Sequence, residues 1–189
     1  MQIAFYGVKS GSGTSFNLAV LTAVYELYKK REDTRQKTPD TQEIRFVDCS
    51  RQRGRTLEQT AKESHLVVLN FCAGDTGIFS AYQTVISVRT DVLFLLGKYH
   101  PDSRKQRDRL ALVYRCERNK IGVIPYSTRL AHAVECGQTK AFLQRIMESP
   151  VSYEETEISK EIRHTAQLLR NCLKDQKEEK GEIRYGRNF

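Results

Sequence analysis

Residues 3–27 read IAFYGVKSGSGTSFNLAVLTAVYEL, and this stretch decides the fold of the chain. The apolar residues 3–8 predict a buried strand, and the three- and four-residue spacing of apolar residues after Phe16 predicts a helix. Between them, residues 9–15 consist only of Gly, Ser, Thr and one Lys. A backbone of this composition can turn its N–H groups inward at a helix N-terminus and bind an anion. The stretch therefore predicts a phosphate-binding loop; the alternative is a strand–turn–helix junction that packs closely through small residues.

The loop departs from the standard motif G-x-x-x-x-G-K-[ST], in which the lysine contacts the β- and γ-phosphates and the hydroxyl binds Mg²⁺. Gly13 and Ser15 match that motif, but Thr14 stands at the lysine position and Val8 at the first glycine. Lys9, five residues before Thr14, instead fits the variant pattern K-G-G-x-G-K-[ST]. In this pattern the segment Lys9-Ser10-Gly11-Ser12-Gly13-Thr14-Ser15 resembles the loops of the ParA/MinD group of P-loop proteins.

The composition favours one domain in a reducing compartment. A chain of 189 residues is long enough for a single domain with a substantial core. Its five cysteines are widely spaced without a C-x-x-C pair, which predicts neither a zinc site nor a disulfide framework and fits the cytosol. No apolar run approaches the roughly 20 residues of a membrane span, and no signal-peptide pattern is visible.

The net charge is +8, from 31 basic and 23 acidic residues. Basic residues group locally at 29–31, 51–55 and 104–109. Such a surplus favours weak attraction to nucleic acid, anionic lipid or acidic partners without choosing among them. A solvated basic face is the alternative interpretation.

Beyond the loop, predicted strands alternate with predicted helices. The strands are predicted at 43–48, 65–71, 90–97 and 119–126, and the helices at 56–64, 78–88, 128–135 and 139–148. Nearly every strand is apolar throughout, which is typical of parallel strands covered on both faces. The sequence therefore predicts an α/β, three-layer P-loop NTPase-like fold with a mostly parallel sheet of about five strands and helices on both faces.

Pro150 marks a predicted boundary, so that residues 1–150 form the α/β domain. Residues 151–173 are predicted to form a helix with one apolar stripe that packs on this domain, and a membrane-surface helix is the alternative. Residues 174–189 are predicted to be a charged, mobile tail. The stripe consists of Ile158, Ile162, Thr165, Leu169 and Cys172.

Polar side chains at two strand ends are candidates for the chemistry of the site. Asp48 ends the second strand, where it can join the water shell of a magnesium ion; the alternative is that it caps the turn with Ser50. Asn70 stands where the third strand of P-loop proteins usually carries an aspartate, and an uncharged amide cannot act as a general base. Asp75 can substitute only if its loop folds back.

Two further segments extend the resemblance to the ParA/MinD group. Phe46-Val47-Asp48 resembles the strand that ends in the second, Walker A′ aspartate, and Ile121-Gly122-Val123-Ile124-Pro125-Tyr126 resembles the G-V-I-P segment of that group. The matches follow the order of the family and cover roughly residues 1 to 145. Within the group, the degenerate loop and the missing Walker B acid look most like the TadZ/CpaE-type proteins of pilus-assembly systems.

The resemblance implies ATP and Mg²⁺ as cofactors. It implies that Ser15 and Asp48 bind the metal. It also implies that Lys9 neutralises phosphate charge across a dimer interface, and that Lys9 and Asp48 are the catalytic residues. Pro125 and Tyr126 correspond to the main chain that reaches the adenine. The implied nucleotide-binding residues are Lys9, Ser10, Gly11, Ser12, Gly13, Thr14, Ser15, Phe16, Pro125 and Tyr126.

The leading functional prediction is a ParA/MinD-like nucleotide-binding protein that localises or assembles a larger machine, such as a pilus-assembly system. It is expected to form a homodimer with protein partners in a membrane-associated assembly, in the cytoplasm and peripheral to the inner face of the membrane. Because Thr14 and Asn70 replace the usual lysine and acid, hydrolysis is expected to be slow or absent. The alternatives are a small ATP-dependent phosphotransferase and a DNA-associating partition protein, the latter supported only by net charge and residues 104–109.

Overall fold

The computed structural model of the chain describes residues 1–8, 11–33, 43–52, 54–72, 91–100, 104–113 and 120–185. Lys9, Ser10, Asp75 and the predicted helix 78–88 lie outside the described residues.

The described elements alternate along the chain as predicted. Five strands form one parallel sheet in the order β2-β1-β3-β4-β5, which confirms the α/β class and the parallel sheet of five strands. The elements are β1 (Gln2–Gly7), α1 (Thr14–Asp33), β2 (Arg45–Asp48), α2 (Gly54–Glu63), β3 (Leu66–Cys72), β4 (Asp91–Tyr99), α3 (Arg104–Val113), β5 (Ile121–Pro125), α4 (Thr128–Glu135), α5 (Thr139–Glu148) and α6 (Tyr153–Tyr185).

Helices cover both faces of this sheet. Successive residues of a strand point to opposite faces, so strands that are apolar throughout must be covered on both. On one face, Ile3 and Phe5 of β1 join a core cluster to which α1, α4, α5 and α6 contribute. On the other face, Ala4 of β1 packs with Leu57 and Ala61 of α2, while α3 packs over β4 and β5. The predicted three-layer arrangement is therefore confirmed.

The strand order fixes where a ligand site is expected. The chain passes from β1 to β2 on one side and then places β3 on the other side of β1. In open α/β sheets, ligands bind outside the carboxyl ends of the strands at such a reversal. Gly7, the last residue of β1, is in register with Asn70 of β3, and the Val8 amide donates to the Asn70 carbonyl at 2.9 Å. The reversal therefore lies where residues 9–15 begin.

The final helix α6 belongs to the main core. Ile158, Ile162 and Leu169 of its predicted stripe are buried there with residues of α1 and β1. The helix extends beyond residue 173 to Tyr185, and it includes most of the segment predicted as a charged tail. No described helix is both long enough and apolar enough to cross a membrane.

Thr165 in the stripe has a polar role. Its hydroxyl donates to the Val123 carbonyl at 2.9 Å and accepts from the Val123 amide at 2.7 Å. Val123 lies in the edge strand β5, whose outward backbone groups would otherwise be buried without partners. A Cβ on Gly122 would lie only 2.9 Å from Thr165 Cγ2, so the glycine permits this close approach of helix and strand.

Arg107 connects α3 to the same part of the fold. Its Nη2 donates to the Ile121 carbonyl at 2.8 Å, and its Nη1 lies 3.5 Å from Glu161 of α6. The side chain is 8% exposed. Within the basic run 104–109, the side chain of Arg107 is therefore engaged in structural contacts.

Glu155 anchors the start of α6. It accepts from both guanidinium nitrogens of Arg145 at 3.0 and 2.7 Å, from the Val151 amide at 2.9 Å and from Arg129 at 3.3 Å. The hydrogen bonds from Arg145, then the one from Val151, lower the pKa of this carboxyl to about 2 from 4.5. The stability that Glu155 contributes is therefore present above pH 4.5 and is lost as the pH falls towards 2.

We expect Glu155→Gln to lower the thermal midpoint by several degrees at pH 7, because three donors then face an uncharged group. The midpoint of the variant should also fall less steeply than that of the wild type between pH 4.5 and 2. Thermal unfolding across this pH range measures both effects. Glu154→Gln, an exposed neighbour, is the control, and identical pH profiles for Glu155→Gln and the wild type would contradict the assignment.

Candidate functional site at the end of β1

In the loop after β1, the described residues 11–15 have a backbone that is compatible with anion binding. Gly11 and Gly13 have φ angles of 84° and 71°, a conformation that costs glycine little and other residues more. Helix α1 begins at Thr14, and the Asn17 amide donates to the Gly13 carbonyl at 2.8 Å. The amides of residues 14–16 come before this first helical bond, so they have no partner within the helix.

The side chains of the loop divide between surface and interior. Ser12 and Thr14 are buried, at 1% and 5% exposure, so Thr14 at the lysine position can offer a ligand only its amide. Ser15 is exposed. Phe16 packs partly buried against the main core, which leaves its amide as its only group for a ligand.

Ser15 and Asp48 meet at the ends of α1 and β2. Ser15 Oγ donates to Asp48 Oδ2 at 2.6 Å, and the Ser50 amide donates to Oδ1 at 2.8 Å. Partial burial acts to raise the pKa of Asp48, but the hydrogen bonds from Ser15 and Ser50 and the charge of Arg51 outweigh it, so the pKa lies below its usual value. The carboxylate is therefore ionised at neutral pH, and it both faces the loop and caps its own turn.

The residues Ser15 and Asp48 fit a magnesium ion. Mg²⁺ binds through one or two protein oxygens together with phosphate and water. Ser15 Oγ and Asp48 Oδ2, 2.6 Å apart, are a hydroxyl and a carboxylate oxygen of the kind that would hold it. The described residues contain no group of three His, Cys, Asp or Glu side chains that could hold a metal alone, so a metal here would depend on phosphate oxygens.

Asn70 of β3, which was compared in the sequence with the usual aspartate of P-loop proteins, has a structural role. It is completely buried, its Oδ1 accepts from Asn17 Nδ2 at 3.0 Å, and its Nδ2 donates to the carbonyls of Val68 and Tyr6 at 3.3 and 3.4 Å. Asn17 is also completely buried, and no described residue donates to its Oδ1. One buried acceptor under the loop therefore lacks a donor, which costs free energy unless a ligand or its water supplies one.

Lys98 lies close to the loop; the sequence places it at the carboxyl edge of the sheet but assigns it no role. The fourth strand was predicted to end at residue 97, but β4 extends to Tyr99. Lys98 Cε lies 3.9 Å from the position that a Cβ on Gly13 would occupy. The available signal was a lysine directly after an apolar strand, since the carboxyl end of such a strand lies at the ligand edge.

Pro125 and Tyr126 lie apart from the loop. Three strand spacings, about 14 Å at 4.8 Å each, separate β5 from β1. The two residues line a cavity of about 330 Å³ between the ends of β4 and β5 and the start of α6, and Tyr99, Tyr153 and Glu154 also line it. The end of β4 lies between this cavity and the loop, so the predicted adenine contacts are not brought directly to the phosphate contacts.

Cysteine chemistry is not favoured at the site. Cys49, Cys72, Cys136 and Cys172 are free thiols. Burial, together with the charge of Asp48, raises the pKa of Cys49 to about 11, so this thiol stays protonated. Cys72 Sγ lies 4.0 Å from the Gly11 carbonyl.

Comparison of the sequence with protein-family models gives no match, and comparison with curated proteins gives none.

Proposed function

We propose that this chain is a ParA/MinD-like nucleotide-binding protein that holds the phosphates of Mg-ATP at residues 9–15. The single observation that carries the proposal is the 2.6 Å contact of Ser15 with Asp48 beside the N-terminus of α1. This contact brings a metal-binding hydroxyl and a carboxylate to the strand reversal at which open α/β sheets bind ligands. The left-handed glycines Gly11 and Gly13 support the same assignment.

The proposed chemistry is retention of the nucleotide with slow hydrolysis or none. Mg²⁺, when bound, neutralises charge on the β- and γ-phosphates. The chain supplies amides from residues 13–16 and the Ser15 hydroxyl, and Asp48 orients that hydroxyl. Asn70 has no charge and is bonded in the interior, so it provides no general base.

As part of the proposal, the nucleotide-bound protein forms a homodimer and helps to localise or assemble a larger machine, such as a pilus-assembly system at the inner face of a membrane. Lys9 contributes to the phosphate site from the partner protomer in this proposal. The base of the nucleotide is directed over Lys98 towards Pro125 and Tyr126, which line the neighbouring cavity.

Titration with ATP, with and without Mg²⁺, tests the proposed site. We expect Asp48→Asn and Ser15→Ala to weaken Mg-ATP binding by roughly 10- to 100-fold, the usual cost of losing a group that orients a metal ligand. Binding without the metal should change much less. Calorimetry or a fluorescent ATP analogue measures the affinities.

The matched control is Asp91→Asn, which alters an exposed carboxylate at the start of β4, on the opposite edge of the sheet. Its Mg-ATP affinity should equal that of the wild type. A wild-type protein that does not bind Mg-ATP, or binding that neither Asp48→Asn nor Ser15→Ala reduces, would contradict the proposal.

The strand order favours one other candidate. The order 2-1-3-4-5 is that of flavodoxin-like sheets, which bind FMN at the reversal between β1 and β3, and this chain has the same order. A protein that binds a flavin mononucleotide through the same loop is therefore the second candidate. Titration with FMN, followed by flavin fluorescence, distinguishes it from the ATP-binding proposal.

A further inference from the structure

We propose that Lys98 supplies the positive charge that the loop itself lacks at position 14, and that its ammonium group binds a phosphate held by residues 11–15. This inference rests on the proposed function, because it requires a phosphate-bearing ligand at the loop. Lys98 of β4 would then take the role of the lysine that stands at the position of Thr14 in the standard motif.

The position of Lys98 follows from the end of β4. Gly97 is in register with Cys72, the last residue of β3, so Lys98 lies in β4 one residue past the point where β3 ends. The pairing of β4 with β5 shifts register between Leu96 and Tyr99. Register irregularities of this kind commonly redirect a side chain next to a functional site.

The side chain of Lys98 extends over the glycine turn. Its Cε lies 3.9 Å from the Cβ position of Gly13, and Nζ is one further bond, about 1.5 Å, along the chain. Thr14, the residue in the usual lysine position, is neutral and only 5% exposed. Lys98 is exposed and therefore free to contact a ligand that the loop amides bind.

The position of Lys98 beside the N-terminus of α1 is unfavourable in free energy when no anion is bound. Lys98 has φ of 50°, a left-handed conformation that disfavours residues other than glycine. Its ammonium group also lies near the positive end of the α1 dipole, where a cation is disfavoured and an anion is stabilised. Lys98 forms no ion pair or hydrogen bond with the described part of the chain. A bound phosphate would satisfy the lysine and the helix N-terminus together.

A second observation indicates a ligand at the same place. Asn17 Oδ1 is buried beside Gly97, 3.2 Å from the position of a Cβ on that glycine, and no described residue donates to it. Asn17 belongs to the first turn of α1, and Gly97 directly precedes Lys98 in the chain. The acceptor without a donor therefore lies between the helix turn that would hold the phosphate and the strand that carries Lys98.

The test compares wild-type protein with Lys98→Ala, Lys98→Arg and Lys98→Gly, using ATP, inorganic tripolyphosphate and adenosine as probes. We expect Lys98→Ala to weaken binding of ATP and tripolyphosphate by roughly 10- to 100-fold, the range for a lost hydrogen bond to a charged group. Adenosine binding should not change. Lys98→Arg should restore most of the affinity for both phosphate probes, because it retains the charge.

Lys98→Gly separates ligand binding from a structural role. Glycine adopts a φ of 50° without strain, so this variant should have a thermal midpoint at or above that of the wild type, while its phosphate affinity falls as far as that of Lys98→Ala. Lys62→Ala, on the exposed surface of α2, controls for the loss of one positive charge and should bind as the wild type does.

The possible failures are distinct. If wild-type protein binds ATP and tripolyphosphate and the Lys98 variants bind them equally well, the assignment of Lys98 is wrong and the proposed nucleotide site remains. If wild-type protein binds neither probe, both the site and the assignment are wrong. Lys98→Gly that is less stable than the wild type would show that Lys98 has a structural role in place of the one proposed.

Discussion

Replacing Asn70 by Asp is expected to destabilise the protein by about 2–4 kcal/mol at pH 7, although it introduces the acid that the third strand of P-loop proteins usually carries. In the wild type, the Asn70 amide donates to the carbonyls of Val68 and Tyr6. The carboxylate of an aspartate has no N–H to donate, so its oxygen would face these two carbonyl oxygens and be repelled by them in a completely buried position. We therefore expect no gain in ATP hydrolysis, and urea unfolding together with a turnover assay measures both quantities.

The loss in Asn70→Asp should depend on pH. Burial favours the protonated form and raises the pKa of the new carboxyl in the folded protein. Its destabilising effect should therefore be smallest below the unfolded pKa of about 3.9 and should grow as the pH rises. Asn171→Asp, in an exposed position of α6, is the matched control and should change stability little. Full stability of Asn70→Asp at pH 7, or faster ATP turnover, would contradict the structural role of Asn70.

Thr165→Val is expected to lower the free energy of unfolding by about 2–4 kcal/mol. Valine has nearly the same shape as threonine and keeps a methyl group against Gly122, but it lacks the hydroxyl. The amide and the carbonyl of Val123, which bond to that hydroxyl at 2.7 and 2.9 Å, would both be buried without a partner. Chemical denaturation measures the loss.

Two variants isolate the effect of the Thr165 hydroxyl. Thr165→Ser keeps both hydrogen bonds and should lose only about 1 kcal/mol through the missing methyl group. Thr156→Val removes a hydroxyl that bonds to the Ser152 carbonyl on the exposed side of the same helix, and it should have little effect. If Thr165→Val and Thr156→Val are equally stable, the proposed support of the β5 edge is wrong.

Much of the fold is predictable from the sequence because the strands carry a strong local signal. The apolar runs that contain Phe5, Val68 and Leu95 are buried on both faces, and only parallel strands between two helical layers require this pattern. A serine directly before a helical pattern predicts an N-cap, and the hydroxyl of Ser127 accepts from the Leu130 amide at 3.4 Å. The turn at Gly11 and Gly13 was also predictable from local sequence, because glycine adopts the left-handed conformation that both residues have at little cost.

The remaining features depend on contacts that no local pattern encodes. The apolar pattern of a strand does not specify its neighbours in the sheet, so the position of β1 between β2 and β3 could not be predicted. Asn17 follows the loop as an ordinary helical residue, and its bond to Asn70 joins residues 53 apart. The predicted fourth strand ended at residue 97, before Lys98, because the last residues of β4 pair irregularly with β5, and a local apolar pattern does not encode that pairing.

The position of α6 also affects the order in which the chain can fold during its synthesis. Ribosomes release chains from the N-terminal end, at about 5–20 residues per second, so all five strands emerge before residues 158–173. These residues bury α1 and β1 in the main core and satisfy the edge of β5. Until they emerge, the nascent sheet exposes an apolar face and an unpaired strand edge, and these are the surfaces that chaperones bind and that drive aggregation.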